Sequence, residues 1–147
     1  MSEKNYDPRM HTAEHILNQT MVRMFGCPRS KNSHIERKKS KCDYLLESEP
    51  SPEVIADVET KVNKVIASNI EVVEDFLPKA DASMFLDLSK LPTDAPDMLR
   101  IIRIGDYDAC ACIGPHVSNT SEIGTFRITT TDFKDGVLRI RFKLTLS

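Results

Sequence analysis

Apolar residues near the start of the chain recur at three- and four-residue steps. They are Met10, Ala13, Leu17, Met21 and Met24. This spacing predicts an amphipathic helix from Pro8 to about Phe25, and Gly26 is a suitable residue to end it. At about 100° per residue, His11 and His15 lie roughly 140° around the helix from this apolar stripe. We therefore expect one face of the helix to pack and another to present imidazoles.

A second helix is predicted from the residues after Ser51 to about Ser68. Ser51 suits the N-cap, Pro52 suits the first turn, and the acid Glu53 is favourable near a helix N-terminus. Apolar residues then follow at helical spacing: Val54, Ile55, Val58, Val62, Val65 and Ile66. The segment 28–41, which lies between the two predicted helices, is polar and basic and is typical of a solvated loop.

The rest of the chain has the pattern of β-strands. Strands are predicted at Ile70–Phe76, Leu99–Ile104, Tyr107–Cys112, Ile123–Thr131 and Val137–Leu146. Gly105-Asp106 predicts a two-residue hairpin turn, and Lys134-Asp-Gly136 predicts a second turn. Residues 78–88 suggest a helical turn and residues 91–97 a loop. Helices early in the chain and antiparallel strands late in it predict an α+β fold, a two-layer sandwich with the helices packed on an antiparallel sheet.

Composition limits the classes of protein to consider. With 147 residues, 40% of them hydrophobic, the chain can form one domain with its own core. The net charge is -2, so any binding to nucleic acid must come from a local basic patch. The sequence has no apolar run of membrane-spanning length and no secretory signal at its start. We therefore expect a cytoplasmic protein that has no membrane partner and keeps its four cysteines reduced.

Two short motifs carry the candidate chemistry: His11-Thr-Ala-Glu-His15 and Cys112-Ile-Gly-Pro-His116. A four-residue spacing puts both histidines of the first motif on one face of a helix. Three imidazoles and one thiolate make a complete tetrahedral ligand set for Zn²⁺. Four protein ligands would form a closed structural site, whereas three ligands and a water would form a catalytic one, and the sequence leaves both open.

Other residues compete for these roles. Cys110 is the nearest alternative ligand, and Cys27 and Cys42 are expected to be core or surface residues. Glu14 could assist proton transfer, but we expect it to be exposed on the helix. Asp108 shares a strand face with Cys112 and could orient a ligand histidine. The first motif also matches the H-x-x-E-H signature of zinc peptidases, but those are longer proteins that take a third ligand from a downstream acid.

The order of the motifs resembles a known family. The histidine pair, then Leu99-Arg-Ile-Ile-Arg-Ile-Gly-Asp-Tyr-Asp108, then Cys112-Ile-Gly-Pro-His116-Val-Ser-Asn-Thr-Ser-Glu-Ile-Gly124 resemble the editing domain shared by alanyl- and threonyl-tRNA synthetases and the free-standing AlaX proteins. The similarity extends from His11 to about Arg141. Gly114-Pro115-His116 is similar to the threonyl pattern, and the run from Asn119 to Gly124 is similar to the alanyl pattern.

The resemblance implies an activity. Such a domain hydrolyses the ester between a wrong amino acid, serine or glycine, and the 3′ end of tRNA(Ala) or tRNA(Thr). It implies that His11, His15, Cys112 and His116 are metal ligands and site residues, although the threonyl-type domain uses similar residues without zinc. Thr12, beside His11, could help to gauge substrate size.

The resemblance also sets expectations for domains and partners. We expect residues 1–147 to form one editing-type domain without the N-terminal β-barrel of AlaX proteins, without an aminoacylation domain and without ATP binding. The basic segment is the candidate contact for tRNA phosphates. Its cations are Arg29, Lys31, Arg37, Lys38, Lys39 and Lys41. Three alternatives to a deacylase that acts alone stay open. The deacylase could need a second copy of the chain or a protein partner. The chain could also be a non-catalytic zinc-stabilised tRNA-binding module or, more remotely, a small metallopeptidase.

Overall fold

The computed structural model describes residues 8–30, 32–35, 40–78, 98–111 and 115–145. The helices are α1 (Pro8–Phe25) and α2 (Pro52–Ala67). The strands are β1 (Asn32–Ile35), β2 (Ser40–Leu45), β3 (Val72–Pro78), β4 (Met98–Ile104), β5 (Asp108–Ala111), β6 (Thr125–Lys134) and β7 (Val137–Thr145). A single 3₁₀ turn covers Thr120–Glu122. No helix in these ranges is both long and apolar enough to span a membrane.

Both predicted helices are confirmed, with the expected ends. Gly26 follows α1 with a φ of 68°, and its N–H donates to the carbonyl of Val22 at 2.9 Å. Such a left-handed backbone is accessible to glycine at little cost. Ser51 caps α2, where its hydroxyl accepts a hydrogen bond from the N–H of Val54 at 3.2 Å.

The strands form two antiparallel sheets where the sequence predicted one. The larger has the order β1-β2-β7-β6, and the smaller has the order β3-β4-β5. Both helices contact the larger sheet: Asn18 of α1 accepts a hydrogen bond from the hydroxyl of Tyr44, and Asn63 of α2 bonds both backbone groups of Phe126. Helices packed on antiparallel strands confirm the α+β class.

The segment 28–41, interpreted as a loop, contributes to two strands of the larger sheet. β1 lies within it and β2 begins in it at Ser40, and β2 pairs with β7 from Ser40 opposite Phe142 to Leu45 opposite Val137. The inward positions of β2 are Ser40, Cys42 and Tyr44, all buried. Two of these three side chains are small, so the strand has no strong alternation of large apolar residues for sequence analysis to detect.

The hairpin of the smaller sheet differs from its prediction by one residue. The N–H of Tyr107 donates to the carbonyl of Ile104 at 2.9 Å, so Gly105 and Asp106 are the central residues of a β-turn as expected. Strand pairing, however, resumes with Ile104 opposite Asp108, so the connection has three residues. In this register the carboxylate of Asp108 is completely buried.

The structure also corrects the expected surroundings of α1. Its residues from Met10 to Asn18 are all buried, and its polar side contacts β5 of the smaller sheet. The imidazoles therefore lie in the interior between α1 and the second sheet rather than on an open face. The predictions for residues 79–97 and for the side chain of Cys112 lie outside the described residues.

Candidate functional site

Three histidines from distant parts of the sequence come together at the N-terminal half of α1. His11 and His15 project from the helix, and His116 comes from the segment after β5. One potential ligand atom from each lies within 4.8 Å of the others. The ring centroids are 4.2 Å apart for His11 and His116, 4.5 Å for His15 and His116, and 5.1 Å for His11 and His15. These three residues form a group that could hold a metal ion.

The loop after His116 is fixed by hydrogen bonds to its surroundings. The hydroxyl of Thr120, completely buried, donates to the carbonyl of Ile66 in α2 at 3.0 Å and accepts from the N–H of Ile70 at 2.9 Å. The N–H of Val72 donates to the carbonyl of Ser118 at 2.9 Å. These bonds hold the loop against α2 and β3, so His116 approaches α1 from a supported backbone.

Hydrogen bonds to backbone and side-chain groups orient two of the rings. Nδ1 of His11 donates to the carbonyl of Pro115 at 3.0 Å. Nδ1 of His116 lies 2.9 Å from the hydroxyl of Thr12, which donates its own proton to the carbonyl of Pro8 at 3.0 Å. With that proton on the carbonyl of Pro8, His116 is the donor to the hydroxyl. In the neutral form of both rings, Nδ1 then carries the proton and Nε2 has the lone pair.

The hydroxyl of Thr12 is fully used by these contacts. Besides its bonds to Pro8 and His116, it accepts from the N–H of Val117 at 3.2 Å, and the residue has no exposed surface. One donor and two acceptor positions complete its hydrogen-bonding capacity. Thr12 therefore supports His116 directly.

A buried acid lies behind His15. Oδ2 of Asp108 is 3.7 Å from Nδ1 of His15. The same carboxylate accepts from both terminal nitrogens of Arg29, at 2.7 and 3.2 Å, and from the amide of Gln19 at 3.1 Å. Burial alone would raise the pKa of Asp108, but His15 and the charge of Arg29 outweigh it and hold this pKa below its ordinary value. The carboxylate is therefore ionised beside His15.

Glu14 differs from its prediction as an exposed residue. It is buried, and its Oε1 lies 3.8 Å from Nε2 of His11. Glu14 also interacts electrostatically with Arg29 and with Tyr44 of β2, which are distant in the sequence, so the helical period could not reveal its burial. The carboxylate adds a second acid to the surroundings of the histidines.

The predicted basic segment is only partly described. Arg29 turns inward to the ion pair with Asp108; burial would lower its pKa, but the charge of Asp108 raises it above its ordinary value. Lys41 lies on β2 opposite Arg141. The remaining four cations of the predicted tRNA contact, Lys31, Arg37, Lys38 and Lys39, lie outside the described residues.

Cys27, Cys42 and Cys110 form no disulfide within the described residues. Cys27 and Cys42, expected in the core or at the surface, are buried, and Cys110 is half-buried. The thiol of Cys110 points to the carbonyl of Ala111 at 3.5 Å. The metal-capable group contains only histidines among the residues whose positions are described.

Comparison with known proteins identifies the family. Residues 99–141 match the threonyl and alanyl tRNA synthetase second additional domain. These residues belong to that family. The match begins in β4, includes His116 and extends into β7. The resemblance drawn from the two motifs is thereby confirmed.

The similarity to individual relatives extends beyond residues 99–141 to most of the chain. The alanyl-tRNA editing protein AlaX-L of Pyrococcus horikoshii is 30% identical over 120 residues, which cover 82% of this chain and 29% of that protein. An alanine–tRNA ligase of Methanococcus maripaludis is 31% identical over 138 residues, covering 91% of this chain and 16% of the ligase. One of Staphylothermus marinus is 34% identical over 144 residues. The chain thus spans less than a third of the length of these relatives.

Proposed function

We propose that this chain is a trans-editing hydrolase that cleaves the ester of a mischarged aminoacyl-tRNA. The observation that carries the proposal is the convergence of His11, His15 and His116 beside two acids in a chain related to an editing protein. An aminoacyl ester is already activated, so a site that orients a water molecule and stabilises the developing oxyanion is sufficient. Serine, and also glycine, on tRNA(Ala) or tRNA(Thr) is the proposed substrate.

The residues fit a zinc ion. Neutral imidazole is a preferred zinc ligand, and the hydrogen bonds to Pro115 and Thr12 leave Nε2 of two rings able to bind one. His11, His15 and His116, with Cys112 as the fourth ligand, would hold the ion. With one of the four positions open to solvent, zinc would act as a Lewis acid that polarises a water molecule or the ester carbonyl, and with all four residues bound it would organise the pocket.

The chain's own residues would prepare the reaction in four ways. Pro115 and Thr12 fix the tautomers of His11 and His116, and Asp108 stabilises the orientation of His15. Glu14, close to His11, is positioned to accept a proton from the attacking water. The water oxygen bonds to the carbonyl carbon, the carbon–oxygen ester bond breaks, and the ribose oxygen takes up a proton. Free amino acid and intact tRNA are the products.

The test is release of serine from seryl-tRNA(Ala) and seryl-tRNA(Thr) by protein of measured zinc content. His116→Ala removes one member of the histidine group, and we expect it to lower kcat/KM by at least about 100-fold. His34→Ala is the matched control, since His34 belongs to neither motif and lies on β1. The preferred tRNA would distinguish alanyl-type from threonyl-type editing.

Two outcomes would contradict the proposal. If the wild-type protein binds zinc stoichiometrically and releases no serine or glycine from either tRNA, the alternative of a zinc-stabilised binding module is favoured. If His116→Ala retains full activity, as the control His34→Ala should, the histidine group is not the reaction centre.

A further inference from the structure

A cationic cleft lies at the opposite end of α1 from the histidines. It has a volume of about 310 Å³ and separates the C-terminal turns of α1 from α2. Its cations are Arg23 from α1 and Lys61 and Lys64 from α2. The other residues that line it are uncharged: Thr20, Met24, Val65 and Tyr107. Among the described residues, the lining of the cleft therefore carries three positive charges and no acid.

Arg23 is held in place without losing its charge. Its guanidinium donates to the carbonyl of Tyr107 at 2.9 Å and lies 4.4 Å from the centre of the Tyr107 ring. Both contacts orient a cation, but neither supplies a negative charge.

The three cations of this cleft make no ion pair with a described acid, whereas five described arginines elsewhere in the chain do. Those arginines pair with acids: Arg29 with Asp108, Arg100 with Glu74, Arg103 with Asp75, Arg139 with Asp43 and Arg141 with Asp132. Within the described ranges, no ion pair involves Arg23, Lys61 or Lys64. Their uncompensated charge produces a positive potential that attracts anions.

A second cleft adjoins the first and extends along the smaller sheet to Asp108. It has a volume of about 340 Å³ and shares Arg23 and Tyr107 with the first, and its lining contains one further cation, Arg103, and two acids, Asp106 and Asp108. Asp108 in turn faces His15. His15 and Arg23 are eight residues apart on α1, which corresponds to about 12 Å along the helix axis. This distance equals three to four nucleotides of a stacked strand, at about 3.4 Å per nucleotide.

We propose that Arg23, Lys61 and Lys64 bind the phosphate backbone of tRNA, three to four nucleotides before its esterified 3′ end. The placement along the strand rests on the proposed hydrolytic role of the histidines. The three cations lie together in the first cleft, where they can contact the phosphates of one stretch of backbone.

Binding of an uncharged tRNA(Ala) transcript at 50 to 200 mM NaCl tests this site. The variant is Lys61→Gln/Lys64→Gln, and the control is Lys134→Gln/Lys143→Gln, which changes net charge equally at exposed positions on β6 and β7. Loss of two phosphate contacts should reduce the slope of log K against log salt by about two in magnitude. The control should keep the wild-type slope, and thermal unfolding of both variants checks that they are folded.

The readout separates this inference from the proposed hydrolysis, because uncharged tRNA has no ester to cleave. A reduced slope in the cleft variant alone supports the site even if the protein releases no amino acid. Equal changes in both variants, or no change in either, would overturn it whatever the deacylation assay gives.

Discussion

The two ends of α1 use polar side chains in opposite ways. At the N-terminal half, His11, Thr12 and His15 are buried and face other protein groups. At the C-terminal end, Arg23 faces an open cleft together with two exposed lysines. The first group depends on exact hydrogen-bond geometry, and the second depends chiefly on charge.

This difference indicates where each kind of function can reside. A water or a metal ion needs ligands whose orientation is fixed before it binds, which buried hydrogen bonds provide. A flexible polyanion needs a positive potential and tolerates small displacements of each cation. Substitutions at the first end should therefore change stability and site geometry, whereas substitutions at the second should act mainly through net charge.

Removal of the charge of Asp108 should produce the largest loss of stability. Asp108→Asn leaves the guanidinium of Arg29 without its counter-ion in the interior, where the Asp108 carboxylate is fully buried. We expect a loss of about 3 kcal/mol in the free energy of unfolding, measured by urea denaturation. Asp106→Asn, on the exposed turn of the same hairpin, is the control and should change stability little.

The same pair of proteins should differ in pH dependence. Burial would raise the pKa of Asp108, but His15 and Arg29 lower it below its ordinary value of about 4. The ionised carboxylate thus stabilises the folded state above that ordinary value, and this contribution is lost as pH falls through the lower pKa of the folded protein. Wild-type stability should fall more steeply below about pH 4 than that of Asp108→Asn. Parallel curves would show that the carboxylate is not stabilised by its partners.

A substitution of Thr12 should have a smaller and more local effect at the N-terminal half of α1. Thr12→Val keeps the shape of the side chain but leaves Nδ1 of His116 and the N–H of Val117 without their acceptor. Because these groups lie in or near the interior, we expect a loss of about 2 kcal/mol in unfolding free energy. Zinc affinity, measured by competition with a chelator, should fall by about 10- to 100-fold.

Thr12→Ser is the matched control for this change. It retains the hydroxyl and should keep zinc affinity close to that of the wild type. If Thr12→Val lowers stability but leaves zinc affinity unchanged, the hydroxyl supports the fold alone. If the valine variant instead binds zinc normally and changes only the preference between serine and glycine, the earlier interpretation of Thr12 as a gauge of substrate size is favoured.

The sequence predicted the elements with a strong local pattern. α1 and α2 have apolar positions at helical spacing, and β7 alternates buried Leu138, Ile140 and Phe142 with less buried residues. The turn at Asp135 and Gly136, both with positive φ, is also visible as a short polar pair between two strands. In these places one local periodicity is sufficient to define the element.

Long-range contacts were harder to predict. Nothing near Arg29 in the sequence indicates that its partner is Asp108, and nothing near Glu14 indicates that it is buried. The histidine group could be proposed because its members stand in two short motifs, whereas the cleft joins Arg23 to lysines about 40 residues away. Such surfaces arise only when helices pack, so no window of sequence contains them.

The smallest predicted effect concerns whether arginine or lysine supplies the positive charge at the C-terminal end of α1. Arg23→Lys keeps the positive charge but loses the planar guanidinium that lies over Tyr107 and bonds its carbonyl. We expect a loss of about 0.5 to 1 kcal/mol in unfolding free energy, while affinity for uncharged tRNA stays within about twofold of the wild type. Arg23→Gln, which removes the charge, should weaken tRNA binding and reduce its salt slope by about one. If lysine and glutamine weaken binding equally, Arg23 acts through geometry, and the contrast between the two ends of α1 does not hold.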